Sequence, residues 1–298
     1  MTLYHKSSVA SKKRYRFEIK MRQSPVSHFI TCELDYQLFR VFDELPHEVL
    51  LCSLAYLLRN KLKNVLDIGS NIGTFSMQIA TYSPNAQIRG FEPQHKCAEI
   101  SRSILDALTT HFFVYEIALG RESSSATIIN EVSTFSGYAK IGLSENKDEN
   151  NTIPVTTLDE HFQKLELSGV DLIKVDIEGS ELDFFMGATK VISKYLPIIF
   201  YEDLGNINGS LIHTEKIVKL LNNLNYSLFL PTWFRVENDE PMMSAFAPHR
   251  RAYSKSQRIG LIPILDHSEL IRRNVFGPVN LVALPNDKIE SILAQLTN

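Results

Sequence analysis

One stretch constrains this chain more than any other. Asn64-Val-Leu-Asp-Ile-Gly-Ser-Asn-Ile-Gly73 runs from an apolar strand into the turn Asp67-x-Gly69-x-x-x-Gly73. A helix follows, with Phe75, Ile79 and Tyr82 at helical spacing, and the next strand ends in Gly90-Phe91-Glu92-Pro93. Strand, tight turn, helix and strand make a βαβ unit. Such a unit commits the chain to a parallel sheet with helices packed on its faces.

The rest of the chain continues the alternation. Further strands are expected at Phe112–Ile117, Asp171–Asp176, Pro197–Tyr201, Tyr226–Leu230 and Asn280–Leu284, most of them nearly all apolar, as strands covered on both faces should be. Apolar stripes at Ile100, Ile104 and Leu108, at Leu182, Phe185, Met186 and Ile192, and at Ile217, Leu220, Leu221 and Leu224 mark helices between them. A last helix from Asn286 should bury Ile289, Ile292, Leu293 and Leu296. The fold class read from this order is α/β, a parallel sheet with helices on both faces. Residues 1–63 are expected to form a helical extension packed on the sheet, because Leu50, Leu54, Leu57, Leu58 and Leu62 share one stripe. Residues 64–298 then form one domain with insertions at 120–152, a loop with a small hairpin, and at 231–278.

Composition narrows the setting. Apolar residues are 44% of the chain and charged residues 22%, enough for a large core and too apolar for bulk disorder. With 31 Lys and Arg against 34 Asp and Glu, the net charge is −3, which argues against a nucleic-acid partner. Cys32, Cys52 and Cys97 form neither a Cys-x-x-Cys pair nor a disulfide framework. The longest apolar run, Val49–Leu58, is broken by Ser53 and is about half of a membrane span. The basic stretch Lys12, Lys13, Arg14 and Arg16 reads as a solvated arm, not a signal core. A soluble cytoplasmic protein without a transmembrane segment is expected.

The turn and the acid carry the first chemistry. A tight turn needs glycine where the chain takes positive φ or approaches a ligand closely, and the following helix begins with unpaired N–H groups. A ligand is therefore expected along Gly69, Ser70, Asn71 and Gly73, with Glu92 accepting both hydroxyls of a ribose. Dinucleotide sites place a glycine at the middle position for a pyrophosphate. Here that position is Asn71, and Asp67 projects a carboxylate into the same turn. Negative charge repels a pyrophosphate and suits the ammonium and sulfonium of S-adenosylmethionine, so a methyl donor is favoured over NAD.

Over roughly residues 64 to 203 the chain resembles the FkbM family of S-adenosylmethionine-dependent methyltransferases. The resemblance rests on Asp67-Ile-Gly-Ser-Asn-Ile-Gly73, Phe91-Glu92-Pro93, Ala118-Leu119-Gly120, Thr157-Leu158-Asp159 and Asp171-Leu-Ile-Lys-Val-Asp-Ile-Glu-Gly-Ser-Glu181 followed by Gly187-Ala188, with a weaker echo at Asn280–Pro285. Glu116 departs from the pattern, which has Asn there, leaving an adenine contact to the backbone of Ile117. The resemblance implies a Rossmann-like class I methyltransferase fold, a doubly wound, mostly parallel, seven-stranded sheet, and O-methylation of a hydroxyl on a sugar, a polysaccharide precursor or a small metabolite.

A hydroxyl acceptor must lose a proton, and a positioned base accelerates that by about 10²–10⁴-fold. In an open α/β sheet the site lies beyond the carboxyl ends of the strands. Asp176 and Glu178 follow one strand there, and Glu202 and Asp203 another. Asp176 is expected to face the donor, with Glu178 or Glu202 as base; crowded like charges raise a carboxyl toward that use. Against this, Ser180 and Asp183 resemble a capping box at a helix start. Lys174 suits an ion pair with one of the acids. These carboxylates are also the oxygen ligands Mg²⁺ takes, but no histidine reinforces a metal site, and none is expected. Phe246, His249, Arg250, Arg251 and Tyr253 in the second insertion suit stacking on sugar rings and holding an anion. The rivals are an RNA methyltransferase on the same fold, a nicotinamide-dependent oxidoreductase, and a binding module that keeps only the cofactor pocket.

Overall fold

The computed structural model describes residues 2–5, 14–20, 27–33, 49–129, 140–142, 152–203, 212–235, 257–264 and 279–296. Strands β1 (Thr2–His5), β2 (Arg14–Lys20) and β3 (Ser27–Glu33) form a small antiparallel sheet ahead of helix α1 (Val49–Leu58). Among the described residues, the expected helical extension over 1–63 holds three strands ahead of its one α-helix. The alternation in Arg14-Tyr-Arg-Phe-Glu-Ile-Lys20 has the period of a strand.

The central unit follows in chain order. It comprises β4 (Asn64–Ile68), α2 (Thr74–Tyr82), β5 (Gln87–Phe91), α3 (His95–Leu105) and β6 (Phe112–Tyr115). After an excursion the chain returns through β11 (Leu172–Val175), α5 (Glu181–Met186), α6 (Thr189–Tyr195), β12 (Ile198–Asp203) and α7 (Ile212–Asn223). It closes with β13 (Tyr226–Arg235), β14 (Gln257–Ile264), β15 (Val279–Pro285) and α8 (Ile289–Leu296). The excursion holds β7 (Ala118–Leu119), β8 (Ser124–Ile129), β9 (Lys140–Gly142) and β10 (Thr152–Thr156), a second sheet ordered β7-β10-β8-β9, then α4 (Leu158–His161). The hairpin expected in the first insertion is the β8–β9 pair.

The main sheet runs β14-β13-β15-β12-β11-β4-β5-β6. Strands β12, β11, β4, β5 and β6 are parallel, while β15, β13 and β14 pair antiparallel. The seven expected strands are all present. An eighth, β14, is added at the edge by the second insertion, where Arg-Ile-Gly-Leu-Ile-Pro-Ile pairs along an extended β13.

Side chains alternate between the two faces. Val65, Leu172, Phe200 and Val282 join the core under α1, α2, α3 and α8, while Leu66, Ile173, Ile199 and Leu281 join the core under α4 to α7. This is the doubly wound arrangement. The strand order reverses between β4 and β11, which fixes the crevice at their carboxyl ends.

One expected helix is two. The stripe through Leu182 and Ile192 breaks between α5 and α6 at Gly187, where a Cβ would sit 2.0 Å from the Gly120 carbonyl oxygen. Met186, expected in the stripe, is consequently exposed. Motifs that mark the resemblance serve this junction. Thr157 accepts the Glu160 N–H at the start of α4, and the two Asp159 oxygens accept the N–H groups of Lys190 and Val191 at the start of α6. Cys52 and Cys97 are buried and unbridged. Among the described residues no helix is long and apolar enough to cross a membrane. Lys12, Lys13 and the aromatic and arginine cluster at 246–253 lie outside the described residues.

Candidate active site

The turn after β4 is closed by its own neighbours. The N–H groups of Gly69 and Ser70 both donate to the Phe91 carbonyl, at 2.9 and 3.1 Å. The Asn71 N–H donates to Glu92 Oε2 at 2.9 Å, and the Gln94 N–H to Glu92 Oε1 at 2.8 Å. Gly69, Asn71 and Gly73 all take positive φ, at 75°, 49° and 82°. At Gly69 no other residue fits, because a Cβ would lie 1.8 Å from the Asp176 carbonyl oxygen. The turn is thus pinned from one side by the end of β5 and pressed from the other by the end of β11.

Its charged groups lie deeper than the spacing suggests. Asp67 is fully buried beneath the turn, and its Oδ2 accepts the Ser76 hydroxyl at 2.6 Å on the first turn of α2. Its charge therefore acts from below and not from the rim. The Ser70 hydroxyl is buried without a hydrogen-bond partner. Glu92 is 4% exposed, and burial pushes its carboxyl up to about 7, against the N–H bonds from Gln94 and Asn71 and with help from Asp67. Ile117 is half-buried at the end of the β6 segment. Beside it Glu116 accepts from Arg102 and bonds His95 Nδ1 at 2.7 Å.

The acids assemble at the next two strand ends. Pairing of Val175 with both Ile68 and Tyr201 places Asp176, one step on, between the Gly69 turn and Glu202. The Asp176 N–H donates to the Ile68 carbonyl at 3.0 Å, and its Oδ2 receives the buried Lys174 ammonium at 3.1 Å. Lys174 also lies 5.7 Å from the Phe75 ring centroid. Glu178 follows in a left-handed conformation, φ 54°. One carboxylate oxygen each from Asp176, Glu178 and Glu202 lie within 4.8 Å of one another, so the three are brought together. Burial first, then Asp176 and Glu178, push Glu202 up to about 8, with Lys174 opposing. Oxygen ligands so close also suit a hard divalent cation, although Lys174 already neutralises part of the charge.

Other expectations separate here. Asp203 points away from Glu202 along the strand, and its Oδ1 accepts the Thr214 hydroxyl at 2.8 Å on α7, which makes it a packing acid. Ser180 precedes α5 without a side-chain cap bond. His161 is buried against Phe91 and Tyr115, and His213 is exposed. Two residues that the motifs include without a role stand beside the acids. Asn280 on β15 lies directly opposite Glu202, and Glu181 lies under the 176–180 loop. Register alone brings Asn280 there, and its strand is remote in sequence.

Comparison with known proteins follows the same boundaries. The family model for the methyltransferase FkbM domain matches residues 67–228. The AMB antimetabolite synthetase AmbE of Pseudomonas aeruginosa is 27% identical over 41% of this chain, and the match spans only 7% of that protein. Among solved structures, the methyltransferase FkbM from Methylobacillus flagellatus is 17% identical, with a TM-score of 0.39 over 56% of this chain and 39% of that one. The StiE O-MT segment 961–1257 is 13% identical, with a TM-score of 0.42 over 88% and 82%. The fold assignment rests on the strand order and register above, not on these overlays.

Proposed function

The chain belongs to the FkbM methyltransferase family, and from that premise we propose that it moves the methyl group of S-adenosylmethionine to a hydroxyl of a sugar, a polysaccharide precursor or another small metabolite. The observation that carries the choice of donor is the occupied turn. The N–H groups of Gly69, Ser70 and Asn71 are already given to Phe91 and Glu92. A pyrophosphate needs such N–H groups and repels carboxylates. Asp67 beneath the turn, joined by Glu92 once it is ionised, instead makes a surround that fits a cationic donor without phosphates, and the Ser70 hydroxyl offers a buried polar contact.

When bound, the donor supplies an electrophilic methyl carbon. The chain supplies placement and a proton acceptor. Asp176, pressed on the turn and paired with Lys174, orients the donor side of the crevice. Glu202, raised to about 8, takes the proton of the acceptor hydroxyl, with Glu178 beside it. Holding the reactants in line is worth up to ~7–11 kcal/mol in favourable systems.

Calorimetric titration tests the donor. S-adenosylmethionine should bind and NAD should not, and Glu92→Ala should weaken binding by about 1–3 kcal/mol through loss of charged hydrogen bonds. Binding of NAD in place of S-adenosylmethionine would overturn the reading. Methyl-labelled donor incubated with a metabolite pool then locates the acceptor.

A further inference from the structure

The loop from Asp176 to Ser180 is an unstable shape to leave to chance. Glu178 takes φ 54° and Gly179 φ 104°, so two consecutive residues are left-handed, one of them with a side chain. Within the loop the Ser180 N–H donates to the Ile177 carbonyl, at a long 3.3 Å. Left-handed conformations cost about 1 kcal/mol or more in a residue with a Cβ and persist only where the surroundings enforce them.

Glu181 is the group that enforces this one. Its Oε1 accepts the Gly179 N–H at 3.0 Å and the Ile177 N–H at 3.3 Å. An acid on the first turn of a helix ordinarily stands in solvent and favours the N–H groups ahead of it. Glu181 is instead 4% exposed and reaches back across the loop. Burying a carboxylate is costly unless it is hydrogen-bonded, so these backbone bonds give the burial its reason. Ser180, the residue ahead of α5, makes no cap bond with its side chain. The consequence reaches the cofactor turn, since the Asp176 carbonyl is packed where a Gly69 Cβ would be.

We infer that Glu181 is a positioning residue, whose carboxylate grips the N–H groups of Ile177 and Gly179 and so sets Asp176 and Glu178 at the mouth of the sheet. What the loop serves rests on the methyl-transfer reading; how it is held does not.

The test reads the loop directly in the full chain, by amide hydrogen exchange over 176–180, beside calorimetric binding of S-adenosylmethionine. Glu181→Ala should speed exchange of that segment about tenfold or more, as expected for two lost bonds to a charged acceptor. It should also weaken donor binding about tenfold. Glu181→Gln, which keeps an acceptor oxygen at the same reach, should restore exchange to within about threefold of the parent. Asp183→Ala, removing another acid from the same helix, should leave the segment unchanged. Should the alanine variant fail to fold, Glu181→Asp keeps the charge but withdraws it by one methylene, and should show the same fast exchange. Parental exchange in the Ala or Asp variant, or a Gln variant as fast as Ala, would overturn the inference. A parent chain that binds no S-adenosylmethionine would sink the methyl-transfer reading and leave the exchange result standing.

Discussion

The turn at 67–73 and the acid cluster of Asp176, Glu178 and Glu202 lie side by side at the mouth of the sheet, but they are held by different means. In the turn the backbone does the work. Its N–H groups are bonded to Phe91 and Glu92, and its glycine faces a carbonyl oxygen with no space between. In the acid cluster three side chains from two strands converge, with one lysine to offset them. The first arrangement tolerates almost no change of shape, and the second almost no change of charge. A substitution should therefore reveal which region it strikes by whether stability or turnover responds.

The sharpest break is Gly69→Ala. Its Cβ would meet the Asp176 carbonyl at 1.8 Å, and its φ of 75° is unfavourable for alanine. Together these should cost about 3–5 kcal/mol of folding free energy, read from denaturant melts. A melt within 1 kcal/mol of the parent would show that the two strand ends do not pack as described. Asp176→Asn works on the opposite side of the comparison. The shape is kept and the charge paired with Lys174 is lost, so turnover should fall about 10²-fold as the donor loses its alignment, while the melt moves less than in Gly69→Ala. Comparable losses in both would place Asp176 in the framework and not in the chemistry.

That contrast also explains what could be read from the sequence. The turn was legible because backbone geometry dictates residue type; glycine at 69 and 73 is a direct record of positive φ. The parallel strands are legible from nearly continuous apolar runs, whereas β14 is not, because Gly260 and Pro263 interrupt its run as they are tolerated to do at a sheet edge. The position of Asp67 was not legible, since alternation puts its carboxylate under α2, where Ser76 waits. Partners from remote strands leave no local trace. Asn280 beside Glu202 depends on antiparallel register, and Glu181 is told from Glu178 by its burial and its reach back to Ile177 and Gly179. A capping box was the local reading of Ser180 and Asp183, yet Asp183 pairs with Arg121 across the surface.

The gentlest probe is pH, and it separates Glu202 from Glu178 as base. Burial with Asp176 and Glu178 nearby raises Glu202 from 4.5 to about 8. Between those values the folded chain holds a proton that the unfolded chain has released, so folding stability falls as pH rises across that window. Glu92 and Glu181, each raised to about 7 chiefly by burial, act with the same sign. Melting temperature should therefore decline from pH 5 to 8, and Glu202→Gln should make the decline shallower without abolishing it. Turnover should move the other way. A base at Glu202 works only after losing its proton, so the rate should climb through pH 8 and level off above it, and in Glu202→Gln it should be low and lack that climb. If the variant keeps the parental rise, the proton is taken by Glu178, and the raised Glu202 serves to hold a proton in the cluster so that three carboxylates can stand within 4.8 Å.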